Sequence, residues 1–323
     1  MSSLHLNIGV DVSKDTLDLC FFAKDQIRHS FTVKNSPAGF EQIVKKLEKM
    51  APKDQWRITM EATSSCHKAL VWHLAEEGVP AVVMAPNQAR SLAKGLGIIR
   101  KNDATDAYVL AVCSQKNWKT PRKPPTKEQA ELQELSRRID SLKAQAADEK
   151  KRMGKPSACA ELVKSCTRVI KLLDQEIQQV SQLWLAKLKQ SQELVKKHRL
   201  MLSIPGVGPE TARKVLSELF LTDELKNVKQ CIAYAGLAPQ ECSSGTSLHR
   251  KATIHGTGSR FLRTALFMGA ISCSRHDAEC SAHYGRMLEA GKPKKCALVA
   301  IMARMLRRIV TVVNRGTEWT PTP

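Results

Sequence analysis

Long apolar runs are missing from this chain. Nowhere in its 323 residues do eighteen apolar residues stand in a row, so the sequence predicts no membrane-spanning helix. The first residues also lack the basic, then apolar, then small order of a secretion signal. Cys-x-x-Cys pairs are missing too. The ten cysteines are scattered, which excludes a disulfide framework as the basis of the fold and suits reduced thiols in a cytosol. Acidic charge is scarce overall, with 31 Asp and Glu against 51 Lys and Arg for a net charge of +20. The first hundred residues are nearly balanced, and the excess of positive charge lies in the middle and C-terminal parts. A polyanion is the partner this distribution fits, nucleic acid ahead of an acidic membrane surface. The expected protein is soluble and cytoplasmic, nucleoid-associated, and large enough for two or three domains with their own cores.

The apolar run that begins at His5 ends on the carboxylate of Asp11 and reads as a strand. Thr16–Phe22 and Ile27–Val33 follow as two more, separated by short polar turns that predict antiparallel pairing. Ser36-Pro37 opens a helix with Phe40, Ile43, Val44 and Leu47 at helical spacing. Trp56–Met60 is a fourth strand closed by Glu61, and a helix from about Cys66 leads to a fifth strand, Pro80–Met84. A meander continued by alternating helices and strands predicts a mixed α/β sheet with covered faces. Helices then take in Asn87–Leu96 and the segment carrying Asp103 and Asp106. The prolines of Thr120–Pro125 end this part, giving a first domain over 1–120.

From Lys127 to Leu202, leucine and isoleucine recur every three or four residues. Leu132, Leu135, Ile139 and Leu142 form one stripe; Leu162, Val169, Leu172, Ile177, Val180, Leu183 and Leu188 form another. Two long antiparallel helices, a coiled-coil-like insertion over 121–200, are expected. The remainder, 201–323, opens on Ile204-Pro205-Gly206-Val207-Gly208. A tight turn of this kind between helices offers backbone N–H groups to a phosphate, as in a helix-hairpin-helix element, which makes Gly206 and Gly208 candidate nucleic-acid contacts. Further helices are expected at about 227–236, 259–274, 279–290 and 295–314, with Arg260 and Arg263 on the second as candidate nucleic-acid contacts. Cys273, His276, Cys280 and His283 are spaced like a zinc-ligand set. On one straight helix they span about 15 Å, too far for one tetrahedral ion.

Four carboxylates close successive elements: Asp11 and Glu61 at strands, Asp103 and Asp106 three apart on one helical face. A strand–strand–helix set of acids is how a ribonuclease-H-like fold gathers divalent ions for phosphodiester chemistry. The segments Gly9-Val10-Asp11-Val12-Ser13-Lys14, Met60-Glu61-Ala62-Thr63 and Lys101-Asn102-Asp103-Ala104-Thr105-Asp106-Ala107 resemble the three signatures of the DEDD transposases of bacterial insertion sequences, relatives of the pilin-inversion recombinase. The second half agrees through Ile204–Gly208 and Ala233–Pro239. Two departures touch no acid: Asn102 stands where that family usually has Thr, and Ser64 where Gly is usual.

The resemblance implies a RuvC-like N-terminal domain, the coiled-coil insertion and a mainly helical C-terminal transposase domain. It implies Mg2+ (or Mn2+) held by Asp11, Glu61, Asp103 and Asp106, and a serine that becomes joined to a DNA phosphate. It further implies donor and target DNA as substrates, a structured bridge RNA as guide, and a homotetramer in which one subunit's serine completes another's acidic site. Of Ser243, Ser244 and Ser247, the family pattern selects Ser244, because it precedes a glycine. By composition alone, Ser-Ser-Gly-Thr-Ser reads as a loop. Arg250 and Lys251, just after it, are further candidate nucleic-acid contacts. Two alternatives remain, a RuvC-like structure-selective endonuclease in which water attacks and a non-catalytic nucleic-acid-binding regulator.

Overall fold

The computed structural model describes residues 5–22, 28–62, 66–98, 102–116, 121, 123–221, 227–244, 248–254 and 258–321. They fall into two compact units, Met1–Pro124 and Pro125–Pro323.

In the first unit, β1 (Leu6–Val12), β2 (Thr16–Phe22) and β3 (Arg28–Lys34) form the expected antiparallel meander. β4 (Trp56–Glu61) and β5 (Val82–Met84) add to the other edge of β1 in parallel, giving the order β3-β2-β1-β4-β5. Alternation along β1 sorts its side chains onto two faces. Ile8 and Val10 join Leu17, Leu19, Ile58 and Met60 in a core covered by α1 (Pro37–Glu48) and α2 (Lys68–Glu76), which contribute Phe40, Ile43, Leu47, Leu70 and Leu74. The start of α1 is fixed by Ser36, whose Oγ accepts from Gly39 N, with Pro37 in the first turn.

The other face of the sheet carries α4 (Asp103–Lys116), with α3 (Pro86–Gly95) beside it. Gly9 decides how near α4 lies. A Cβ on Gly9 would stand 2.1 Å from Ala107 O and 2.2 Å from Ala111 N, so any side chain there would lift the helix off the strand. Ser114, at the far end of the same contact, is fully buried and donates to Ile8 O at 3.0 Å, with Thr59 Oγ1 at 2.7 Å. A buried hydroxyl satisfied on both β1 and β4 sets the helix against both strands at once.

The second unit is built from helices. α5 (Lys127–Met153) and α6 (Ala160–Lys189) are the expected antiparallel pair, since Lys187 near the end of α6 pairs with Glu131 near the start of α5. α5 opens on a full capping box between Thr126 and Gln129. The first leucine stripe packs as its spacing predicts. The second does so only in part: Val180 and Leu188 are buried with Ile177 packed beside them, whereas Leu162, Val169, Leu172 and Leu183 are exposed and Cys166 and Trp184 take the other buried positions of α6. Trp184 fills the seam in place of its neighbour Leu183, between the buried Val180 and Leu188.

A short break at Gln190–Ser191 leads into a third helix, α7 (Gln192–Leu202), followed by α8 (Pro209–Leu219) and α9 (Val228–Ala235). Residue 200 is therefore no boundary between compact units. The coiled-coil helices share one core with the C-terminal helices, and Arg213 of α8 shows why. It is 4% exposed and donates to Ser136 O, Ser136 Oγ and Asp140 of α5, each at 2.6 Å. A buried guanidinium needs those acceptors, and removing them costs about 3–5 kcal/mol.

The chain then forms a hairpin that the loop reading of the serine segment did not anticipate. β6 (Pro239–Ser244) pairs antiparallel with β7 (Leu248–Ile254). α10 (Arg260–His276), α11 (Ala278–Glu289) and α12 (Lys294–Arg315) complete the unit. The break expected between 274 and 279 is present, so the measure of the cysteine–histidine set along one straight helix is corrected. The helix ends at His276, and Asp277 restarts it by accepting from Cys280 N at 2.8 Å. That corner brings Cys273 Sγ and Cys280 Sγ to 3.3 Å and places Asp277 with them, without His276 or His283. The buried Arg308 of α12 donates to Asp277 and supplies the positive charge of this corner, so the three groups are explained as a helix junction.

Candidate active site

Gly9 and Thr59 lie side by side on parallel strands and both face α4, Gly9 by its contact with Ala107 and Thr59 by its bond to Ser114. Two residues further along each strand stand Asp11 and Glu61, on that same face by the pleat. Both strands end there, beneath the first turn of α4. Asp103 and Asp106 occupy that turn, which Asn102 begins by accepting from Thr105 N at 2.8 Å. Asn, like the Thr usual at this position, is a good helix cap, so the departure noted in the sequence keeps the cap. Four carboxylates thus come from β1, β4 and α4 to one end of the sheet.

Asp11 lies at the centre of their mutual repulsion. Burial, and then the charges of Asp106, Asp103 and Glu61, push its carboxyl up to about 6 from the usual 3.8; only the Val12 N–H works against the rise. The four acids do not close into a set with every ligand oxygen within 4.8 Å of the others. Hard oxygen donors around a carboxylate that three neighbours and burial disfavour as an anion fit a divalent cation such as Mg2+ or Mn2+, whose charge would offset that cost.

The unfolded chain holds the Asp11 proton with its ordinary affinity and the folded chain holds it more tightly. This contribution to stability is therefore full below pH 4 and is lost as pH rises through about 6. Two units correspond to about 3 kcal/mol, which partial exposure reduces to about 1 kcal/mol. In chelator, Asp11→Asn should match the wild type at pH 4 and melt about 2–4 °C higher at pH 7.5. Millimolar magnesium should narrow that gap by stabilising only the wild type. A gap independent of pH would contradict the placement of Asp11 among the other acids.

Two further residues border the site and carry no sequence signal of their own. Asp18 pairs directly with Asp11 across β1 and β2, adding a fifth carboxylate to this face. Arg28, on edge strand β3, donates from Nη2 to Ala104 O at 3.0 Å and lies 4.8 Å from the Tyr108 ring centre. It braces the turn that bears Asp103 and Asp106.

In the second unit, Gly206 and Gly208 do different work. Gly206 has φ +80°, and a Cβ there would meet Gly269 O at 3.1 Å and Cys273 Cβ at 3.0 Å, so it fits the turn against α10. Gly208 begins α8, and nothing stands within 4 Å of the place a Cβ would take. The turn lines a groove of about 600 Å³ with Thr211, Met268, Gly269 and Ser272. Ser244 ends β6, opposite Leu248. Ser247 lies outside the described residues, as do the side chains of Ser243, Ser244, Arg250 and Lys251. Arg260 is exposed at the start of α10, whereas Arg263 turns inward, from Nη1 to Ala235 O at 3.1 Å and Gly258 O at 2.8 Å.

Residues 8–155 match the DEDD transposase family of IS110 elements, and residues 198–285 match the transposase family of IS116, IS110 and IS902. The two matches cover more than two thirds of the chain, and the chain belongs to the IS110 family of transposases. It is similar to the pilin gene-inverting proteins of Moraxella bovis and Moraxella lacunata, each 29% identical over 315 residues that make up 96% of both sequences. A shorter stretch of 118 residues is 31% identical to an IS110 insertion-element protein of Streptomyces coelicolor, covering 36% of this chain and 29% of that one. The activity is accordingly enzymatic DNA rearrangement. Among the described residues no helix is long and apolar enough to cross a membrane.

Proposed function

We propose that the chain is a site-specific DNA recombinase of an insertion sequence, which cuts and rejoins strands through a serine-linked intermediate without net hydrolysis. The observation that carries the reading is the convergence of Asp11, Glu61, Asp103 and Asp106 at one end of a mixed sheet, in a unit of ribonuclease-H-like plan. Mg2+ or Mn2+ bound by these four would supply Lewis acidity toward a phosphodiester. The chain's own groups do the rest. Asp11, raised toward neutrality, changes its charge when a cation binds, while Arg28 holds the turn of Asp103 and Asp106 in register beneath the substrate.

In the covalent step the Ser244 hydroxyl loses its proton and its Oγ bonds to phosphorus. The bond from phosphorus to one strand oxygen breaks, and that oxygen takes up a proton. A strand hydroxyl then attacks the phosphoserine, restoring the diester and the serine. We place the serine of one subunit with the acids of another in a tetramer, following the family's arrangement. The hairpin turn at Gly208 and the exposed Arg260 are assigned to nucleic-acid backbone, because a free helix N-terminus and a cation favour phosphate. A structured bridge RNA is assigned to the excess positive charge of the second unit.

Protein purified from cells carrying the element with its flanking non-coding DNA should retain one discrete RNA transcribed from those flanks. Recombination of a plasmid bearing the element should require both that RNA and magnesium. Recombination that proceeds at full rate with RNA-free protein would remove the guided part of the proposal and leave the acidic site intact.

A further inference from the structure

A two-stranded hairpin is marginal by itself in water, so the direction in which β6 and β7 point is set where the pair is rooted. That root is unusually constrained. The chain enters from α9 through Gly236, in the left-handed conformation at φ +68°, and leaves through Gly258 into α10. The two glycines touch: a Cβ on Gly258 would lie 2.3 Å from both Gly236 N and Tyr234 O. Ser259 N donates to Tyr234 O at 2.9 Å, which ties the outgoing strand to the incoming one. Arg263 Nη1 then bridges the carbonyls of Ala235 and Gly258, one on each limb. On the opposite side Glu218 of α8, with its side chain only 5% exposed, accepts from Ser259 Oγ at 2.9 Å and from Tyr234 OH at 3.4 Å, and is paired with Arg137 of α5 at 3.3 Å.

We propose that Arg263 and Glu218 form a clasp that fixes the direction of the hairpin bearing Ser244, and that both are positioning residues for the covalent step. The inference rests on the reading of Ser244 as the nucleophile. The clasp joins both limbs of the hairpin to α8 and α10, two rigid helices of the unit. Its loss leaves the hairpin paired but free to swing. A displacement of about 1 Å at a reacting atom lowers a rate by about 100-fold, so the effect falls on the chemical step and not on DNA affinity. Gly258 belongs to the same device. Its neighbours leave no space for a methyl group, and Gly258→Ala would spread the limbs without touching a charge.

The test uses the full chain, a supercoiled plasmid carrying its coding sequence with the flanking DNA, and RNA transcribed from those flanks. Arg263→Met and Gly258→Ala should each slow formation of the denaturation-resistant protein–DNA adduct by about 30- to 100-fold at saturating DNA. DNA affinity should stay within threefold, and Arg263→Lys, which keeps a cationic donor, should recover most of the rate. Amide exchange should rise in the 237–259 segment of Arg263→Met and remain unchanged in α8 and α12. Adduct rates within threefold of the wild type in both variants would overturn the clasp. So would a loss accompanied by general unfolding that Arg263→Lys fails to repair. If Ser244→Ala keeps its adduct, the nucleophile reading fails. The exchange data then judge the clasp alone, and an unchanged hairpin overturns it.

Discussion

Asp11→Asn should abolish DNA strand cleavage, lowering its rate by at least about 1,000-fold, while the protein folds and binds DNA as before. The substitution keeps shape and removes one negative charge from the centre of the acidic set, where burial and three neighbours act on it. With Asn there, the repulsion of Asp11 by Asp106, Asp103 and Glu61 is gone, so the metal-free protein gains stability as it loses activity. A residue whose removal stabilises the fold and abolishes the reaction is the expected signature of a site built for a cation. Asp106→Asn and Asp103→Asn should follow the same pattern. Cleavage rates at saturating magnesium, with cation affinity by titration calorimetry, measure both effects. Full activity in Asp11→Asn would remove the acids from the chemistry.

Ser244→Ala should eliminate the denaturation-resistant adduct and, with it, strand joining. A methyl group offers no oxygen to phosphorus, so no residual covalent rate remains, whereas Ser243→Ala should change the adduct yield by less than about tenfold. The outcome separates two chemistries. Undiminished cleavage without an adduct in Ser244→Ala would mean that water attacks and that the enzyme is a structure-selective endonuclease. Loss of adduct with DNA binding intact supports the recombinase. Measuring both proteins on the same plasmid, with binding determined in parallel, keeps a folding defect from being read as a catalytic one.

The acids were legible because their signals are local. An apolar run ending on Asp11, another ending on Glu61, and an i, i+3 pair at Asp103 and Asp106 are each visible within a few residues. What joins them is not local. The parallel pairing of β1 with β4 spans about fifty residues, and the closeness of α4 depends on the absence of a side chain at Gly9, which leaves no periodic trace. Arg28 was silent for a related reason, since an exposed arginine on an edge strand resembles any solvated charge until the helix it braces is in place. In the second unit, leucine spacing found α5 and α6 and placed Ile177, Val180 and Leu188 correctly but missed part of the buried face of α6, because Trp184 and Cys166 take seam positions that a leucine count ignores. The break between 274 and 279 was expected, but not its sharpness, because it contains neither glycine nor proline; an aspartate restarts the helix by capping it and brings Cys273 to Cys280. The hairpin β6–β7 was hidden because its strands are polar and lack the alternation by which a half-buried strand announces itself.

The central claim is that the acidic site serves a serine that becomes bonded to DNA. Mapping the bond is its most direct measurement. The adduct formed on the element's own plasmid in magnesium would be trapped by denaturation, digested with protease and nuclease, and sequenced by mass spectrometry. The account predicts a nucleotide phosphate on Ser244 in the wild type and no modified peptide when Asp11 is Asn. A phosphate carried by any residue outside the Ser243–Ser247 segment, or strand joining in full yield with no modified peptide, would contradict it.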